Sequence, residues 1–598
     1  MMDLVTHRLF PIWRLAERQL ALVPLVLLLG LTAAGLEGLG IGLVIPLLAI
    51  VTHTGDSGGS GLAPWLRSFA ADVEPSGRIV IIALVMFALI SLKNIVATAN
   101  AALTAYICGH AGHKIRAALA QRLLGVDYPF MRDQERGRLM NILSNESWRA
   151  ADAVNASLTL LVNASAALIL YGLLLALSWK LALIITVALA VILVVHGFLA
   201  KRLQSPSRRV SAENGRLSAR MLDVIHAAQL IRLFNQQTRE QSRFDAASDA
   251  VRASVLRLQI RSALLAPLSE ILFAGVFLVI IVSAWGWGFS FPLVATFMVL
   301  LYRLQPYVRN LQVFWGQLWG WSGALEAVAW LLQADKTSPA PTGDLRPAPL
   351  AKSIVFDRVT FSYVAGVRAT DVLRQASFVI PVGKATGFIG RSGAGKSTIV
   401  QLLTRLVEPS EGAVLVDDVP LRDVDPAYWR SRIAVASQDL ELVNASVFEN
   451  IAYAVPGATQ SDVEHAARLA EAHDFIRALP EGYHTLIGAG GTRLSAGQRQ
   501  RIALARAILC EPDVLVLDEA TNAVDGVSES AILETIKRRS GRCTTLLISH
   551  HHRTISVCDR VVVLNNGCVA AQADWSSVRH LSMDDLYELG ASSLEPLK

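Results

Sequence analysis

Apolar residues crowd the first half of the chain in long unbroken stretches, and after about residue 320 the pattern changes to short apolar runs punctuated by charged and glycine-rich turns. Six stretches, 19–51, 78–107, 158–177, 181–200, 263–286 and 291–319, each supply the roughly 20 apolar residues that a helix needs to cross a bilayer core. Several are longer than that, which predicts helices continuing into the cytoplasm. Beyond the linker at 334–352, with its prolines 339, 341, 347 and 349, the texture is that of a soluble α/β domain. The pattern therefore divides the chain into a six-helix membrane domain over 1–333, the linker, and a domain over 353–598.

Composition agrees with that division: 53% hydrophobic against 17% charged residues over 598 positions is too apolar for an ordinary soluble protein. Charge fixes the orientation. The polar segment 201–261 is dense in Lys and Arg, whereas the turn WGWGFSFP between the last two stretches has no basic residue. By the positive-inside rule both long polar loops, and both termini, lie in the cytoplasm. The same asymmetry accounts for the net charge of +6, so no nucleic-acid partner is implied. No cleavable signal is expected, because the first apolar run is too long and contains Glu37. The five cysteines form no C-x-x-C pair and read as reduced packing residues rather than metal ligands.

The second half carries phosphate chemistry. GRSGAGKST, made of Gly390, Arg391, Ser392, Gly393, Ala394, Gly395, Lys396, Ser397 and Thr398, lies between the apolar strand ATGFI and the apolar helix IVQLLTRL. A glycine loop in that setting turns backbone N–H groups onto a phosphate. Lys396 then reaches the β- and γ-phosphates, and the Ser397 hydroxyl ligates Mg²⁺. VLVLDEA, 514–520, reads as a buried parallel strand ending in Asp518, placed for the Mg²⁺ shell, and Glu519, placed to orient or deprotonate the attacking water. TTLLIS delivers His550 beside them, in reach of a γ-phosphate. The run HHHR does not make a metal site, since adjacent side chains on extended backbone point apart. LSAGQRQRIALARAI, starting at Leu494, reads as an amphipathic helix whose open N-terminus forms a second anion site.

With these motifs the chain resembles an ATP-binding cassette exporter of the half-transporter type. LSAGQ matches that family's signature LSGGQ except at Ala496. The resemblance implies a type I exporter-like all-α membrane domain, followed by an α/β P-loop domain with a helical subdomain. It implies ATP and Mg²⁺ as ligands and two cassettes paired head to tail, with Ser495, Gly497 and Gln498 facing ATP held by the partner. A homodimer is the simpler arrangement, a heterodimer the other. Tyr363 matches the aromatic that stacks on adenine, Gln438 the glutamine that senses Mg²⁺ and the γ-phosphate, and Asp525 the aspartate that crosses the dimer. Where the family shows a glutamate, this chain has Ala489 within IGAGG. The segments 145–152 and 223–229 are the expected transverse coupling helices at the loop tips.

Substrate is read from charges inside the spans, which default to function. Glu37, Lys93, Glu270 and Arg303 fall at similar depth, and Glu37 with Lys93 reads first as an ion pair. Arg303 and Arg309 on the last span suit a phosphate or pyrophosphate head group, although a six-residue offset turns them about 120° apart. The first span also bears a likeness to lipid-linked oligosaccharide flippases. The expected function is ATP-driven export or flipping of an amphiphile, such as an anionic lipid-linked saccharide, by a multi-pass protein of the bacterial inner membrane. An exporter of peptides or hydrophobic compounds, and an ATP-gated channel or regulatory subunit, share the architecture.

Overall fold

The computed structural model describes residues 21–44, 47, 75–201, 204–263, 265–287, 289, 291–333, 341–363, 371–437, 442–520, 525–583 and 585–587. The chain separates into two compact units, Met1–Val126 with Met131–Ser338, and Asp127–Phe130 with Pro339–Lys598.

The first unit is helical. Its long helices are α1 (Val23–Gly42), α2 (Pro75–Gly125), α3 (Ser147–Leu177), α4 (Trp179–Lys201), α5 (Gln204–His226), α6 (Gln237–Ala263), α7 (Leu265–Gly286), α8 (Phe291–Gly320) and α9 (Ser322–Leu332). The described part of each apolar stretch falls mainly on one of them. At 51 residues, α2 runs unbroken for roughly 75 Å from apolar to polar sequence, as its length predicts. Leu84, Phe87 and Ile95 on its apolar part are more than 60% exposed, a cost in water and none in lipid. Among the described residues, Val23–Gly42, Ile79–Gly125 and Arg136–Leu177 are long and apolar enough to cross a membrane. α4 and α7 are 23 and 22 residues long and predominantly apolar. α8 interrupts its apolar positions with Arg303, Gln305, Arg309 and Asn310.

Inside the bundle, Leu170, Leu174, Leu181, Phe273, Ile280, Phe297 and Leu301 form a buried core shared by α3, α4, α7 and α8. Polar contacts fix the polar extensions. Glu146, fully buried in a π-helical turn (Ile142–Glu146), accepts from Asn141 Nδ2 at 2.9 Å and from Ser211 Oγ of α5 at 2.8 Å. The first coupling helix is misplaced by sequence reasoning: 145–152 is this π turn and the start of α3, with Glu146, Ser147, Ala150 and Ala151 buried. A separate short helix, Tyr128–Asp133, lies between α2 and α3 in the chain. It is started by Asp127, which accepts from Phe130 N at 3.0 Å, with Pro129 in the first turn, a standard helix-opening pair. In the second loop, 223–229 straddles the end of α5 and the start of a short helix, Ala228–Leu233, so the expected position is displaced by a few residues.

The second unit holds two sheets. An antiparallel one has the order β2-β1-β4-β5, with β1 (Ser353–Phe361), β2 (Leu373–Pro381), β4 (Glu411–Val416) and β5 (Val419–Pro420). The other has the order β10-β9-β3-β8-β7-β6, from β3 (Ala385–Gly390), β6 (Ile433–Ala436), β7 (Val514–Asp518), β8 (Thr544–Ile548), β9 (Arg560–Asn565) and β10 (Cys568–Asp574). It is parallel except at β10. Phe356, Phe378 and Phe388 pack in series between the sheets, with ring centroids 4.4 and 5.3 Å apart. A helical subdomain of short helices, including α11 (Gln460–Leu469) and α12 (Ala496–Leu509), closes a second core around Val463, Ile476, Ile502 and Leu515. The helix α10 (Lys396–Leu403) precedes this subdomain, and α13 (Gly526–Arg538) lies between β7 and β8.

The linker is not free along its length. Residues 334–340 lie outside the described residues. From residue 341 on, the segment is pinned to the cassette: Arg346 pairs with Asp425 at 2.8 Å, the Tyr428 hydroxyl donates to Pro347 O at 2.6 Å, and the buried Arg405 donates to Thr342 O at 3.0 Å.

Candidate nucleotide and substrate sites

β3 is buried over all its residues and ends at the phosphate loop. Gly390 needs to be glycine, since a Cβ there would sit 2.7 Å from Leu564 O. Gly395 needs to be glycine for its backbone, at φ +99°, and it caps α10. Arg391, Ser392 and Gly393 are exposed at the mouth, while Ala394 is buried beneath them. Lys396 Nζ donates to Gly390 O at 2.7 Å and Arg391 O at 3.1 Å, so its ammonium lies across the loop. Burial pushes its pKa down, partly offset by the carboxylates of Glu519 and Asp518. An arriving polyphosphate would restore that balance.

The strand order places β3, β8 and β7 side by side, so the residues at their C-terminal ends share one edge. The Ser397 hydroxyl donates to Asp518 Oδ2 at 3.4 Å, bringing the two expected Mg²⁺ ligands together. His550 Nδ1 lies 3.5 Å from Glu519 Oε1. The Tyr363 hydroxyl bonds to Thr398 Oγ1 at 3.0 Å and donates to Gln401 Oε1 at 2.9 Å, which places its ring beside the phosphate-loop helix. Gln438 lies outside the described residues. Asp525 caps α13, and its carboxyl is held below the usual range by the Ser528 backbone N–H and hydroxyl.

The signature lies at the start of α12. Ser495 and Ala496 are exposed, with Gly497 and Gln498 half-buried. Ser495 Oγ accepts from Gln498 N at 3.2 Å and Gln498 Oε1 accepts from Ser495 N at 2.9 Å, a capping box that leaves the neighbouring N–H groups of the first turn for an anion. The methyl of Ala496 is accommodated as the first helical residue. In IGAGG, Gly488, Gly490 and Gly491 all have positive φ, and a Cβ on Gly491 would meet Leu442 Cδ1 at 2.8 Å.

Sequence reasoning missed the backbone of Glu519. Its φ is +52°, left-handed for a residue with a side chain, at a cost of about 1–3 kcal/mol. Two hydrogen bonds hold it there: Glu519 N donates to Ile548 O at 2.9 Å, and Gln500 Nε2 donates to Glu519 O at 3.2 Å. The signal available was Gln500 itself, a polar residue on the buried Gln500, Ala503, Ala507 stripe of an amphipathic helix.

In the first unit Glu37 is buried on α1 and collects three partners. Lys93 Nζ lies at 3.2 Å, Arg303 Nη1 at 3.5 Å, and the Tyr307 hydroxyl donates to Oε2 at 2.6 Å. The expected Glu37–Lys93 pair is present. Arg303 lies against Glu37, while Arg309 is exposed and, among the described residues, makes no contact with the cluster. The six-residue offset is the reason. Glu270 is exposed on α7. Beside this cluster is a cavity of about 720 Å³, lined by small residues such as Gly30, Ala34 and Ala101 and by Lys93, Asn100 and Tyr307. Asn100 is only 7% exposed, and its Oδ1 has no hydrogen-bond partner.

Fold and site define a membrane-embedded helical domain joined in one chain to a P-loop ATPase. Residues 43–302 match the ABC transporter transmembrane region and 373–522 the ABC transporter domain. The chain is 31% identical over 511 residues to the ATP-dependent lipid A-core flippase of Bordetella pertussis, covering 84% of this chain and 81% of that protein. It is 29% identical over 556 residues to the heterocyst differentiation ATP-binding protein HepA of Nostoc sp. strain PCC 7120, covering 93% and 91%. A bacterial Atm1-family ABC exporter solved with ATP bound superposes with a TM-score of 0.80 at 23% identity, over 97% of this chain and 99% of that one. The chain belongs to the ABC transporter family. It is an integral membrane ATPase that couples ATP binding and hydrolysis to transport.

Proposed function

We propose that two copies of this chain form one transporter that flips an amphiphile with an anionic head group across the bacterial inner membrane, with the cassettes and both termini in the cytoplasm. In each site Lys396 and the loop N–H groups of one chain hold the ATP phosphates, and Ser397 with Asp518 holds Mg²⁺, whose hard-oxygen preference suits a hydroxyl beside a carboxylate. Glu519 orients the attacking water, His550 faces the γ-phosphate, and Ser495 to Gln498 of the other chain close the site. Two ATP molecules clamp the cassettes together, the helices open outward, and hydrolysis with phosphate release resets them.

The observation that carries the substrate reading is the charge count at Glu37. Two cations, Lys93 and Arg303, face one carboxylate, an excess of one positive charge, and Lys93 also lines the 720 Å³ cavity, where Arg116 and Asp152 offset each other. A phosphate or pyrophosphate head group offers the compensating charge, and the small-residue wall accepts chains. The lipid A-core flippases, named for an amphiphilic cargo, support the same class. Arg303→Ala is expected to remove stimulation of ATP hydrolysis by a lipid pyrophosphate added to reconstituted protein. Stimulation equal to that of the unaltered protein would rule out this head-group site.

A further inference from the structure

The backbone of Glu519 is fastened to the signature helix of the same chain. Gln500 is the fifth residue of α12, and 7% of it is exposed. Its side-chain amide donates to the carbonyl of Glu519, 19 residues further along the chain, at 3.2 Å. On the other side of the same residue, Glu519 N is tied to Ile548 O of β8 at 2.9 Å. The strand bond anchors the N–H to a rigid buried sheet, while the Gln500 bond anchors the carbonyl to a helix. With φ at +52°, the direction of the Glu519 carboxylate depends on both anchors, and His550 lies 3.5 Å from that carboxylate.

We infer that Gln500 is a positioning residue that couples the signature helix of a chain to the general base of the same chain. This rests on the head-to-tail pairing proposed above, in which the N-terminus of α12 meets the nucleotide held by the partner. When Ser495 and Gly497 engage that nucleotide, α12 shifts as a rigid rod, and one turn further on Gln500 carries the shift to the Glu519 carbonyl. Occupancy of one site thereby aligns the base of the other. Arg501 donates to Glu471 O at 2.9 Å, and Arg506 donates to Asn450 O at 2.8 Å, so α12 moves together with the helical subdomain around it.

The test uses full-length, reconstituted dimers of two differently tagged chains, purified through both tags. One chain carries Glu519→Gln, which silences the site that uses its own base, and single-turnover hydrolysis then reports the surviving site. Gln500→Leu is placed either on the partner, whose Glu519 does the work, or on the Glu519→Gln chain. On the partner it is expected to slow the turnover about tenfold with the half-saturating ATP concentration unchanged, the scale of one lost buried hydrogen bond. On the Glu519→Gln chain it is expected to leave the rate where Glu519→Gln alone put it. Ser495→Arg is the reference: on the Glu519→Gln chain it is expected to silence the surviving site outright, whereas on the partner it removes only the alignment of Glu519 and is expected to slow that site about as much as Gln500→Leu does there. If that silencing fails, the head-to-tail pairing is wrong. If it holds and Gln500→Leu slows turnover equally from both positions, or only from the Glu519→Gln chain, or Ser495→Arg on the partner leaves the rate unchanged, the role assigned to Gln500 is overturned. Gln500→Glu, of the same size, replaces Gln500→Leu if the latter does not assemble.

Discussion

Glu519→Gln is expected to lower steady-state ATP hydrolysis by about 10²- to 10⁴-fold, the range for loss of a positioned general base, while ATP still binds. The substitution keeps size and shape, so the left-handed backbone at φ +52° and its bonds to Ile548 O and Gln500 Nε2 are retained. What disappears is the carboxylate that faces His550. Because Lys396 and Ser397 are untouched, nucleotide affinity stays near that of the parent, and the closed, ATP-loaded pair accumulates. Turnover and trapped nucleotide in the same preparation check both halves of this expectation. Undiminished hydrolysis would remove Glu519 from the mechanism.

Lys396→Ala is expected to abolish nucleotide binding and hydrolysis together, a loss of at least about 10²-fold in each, because the phosphate charge is neutralised chiefly by this ammonium and the metal. In the free protein the ammonium bridges Gly390 O and Arg391 O, so its removal also leaves two loop carbonyls without their donor. Lys396→Arg separates the two effects. It keeps the charge but spreads it over a planar fork that does not fit the same gap, so binding is expected to recover in part and hydrolysis to stay low. Direct titration with ATP, beside turnover, distinguishes these outcomes.

The phosphate loop and the acidic strand end could be placed from sequence because phosphate chemistry permits few residue types at few spacings. Gly395 must take a positive φ, Lys396 must follow it, and Asp518 and Glu519 must end a buried strand. The apolar stretches were equally clear, since a bilayer demands length and composition rather than particular contacts. What escaped notice depends on contacts between segments far apart in the chain. The Glu37–Lys93 pair was expected, but Arg303 and Tyr307 joining it links a third helix, and no local pattern shows that convergence. The docking of the linker through Arg346 and Arg405 is of the same kind. The short helix Tyr128–Asp133 is different: Asp127 followed by Pro129 is a local start signal, whereas the small residues of 145–152 suit burial at the start of α3.

Central to this account is a nucleotide site shared between two chains, and mixing two inactive variants tests it directly. Chains carrying Lys396→Ala lack a working phosphate loop, and chains carrying Ser495→Arg lack a working signature. Each alone is expected to hydrolyse no ATP. Co-assembled, they form one site from the intact phosphate loop of the second and the intact signature of the first, so ATPase activity is expected to return. A mixture as inactive as its components, in samples shown to contain mixed dimers, would contradict the shared site.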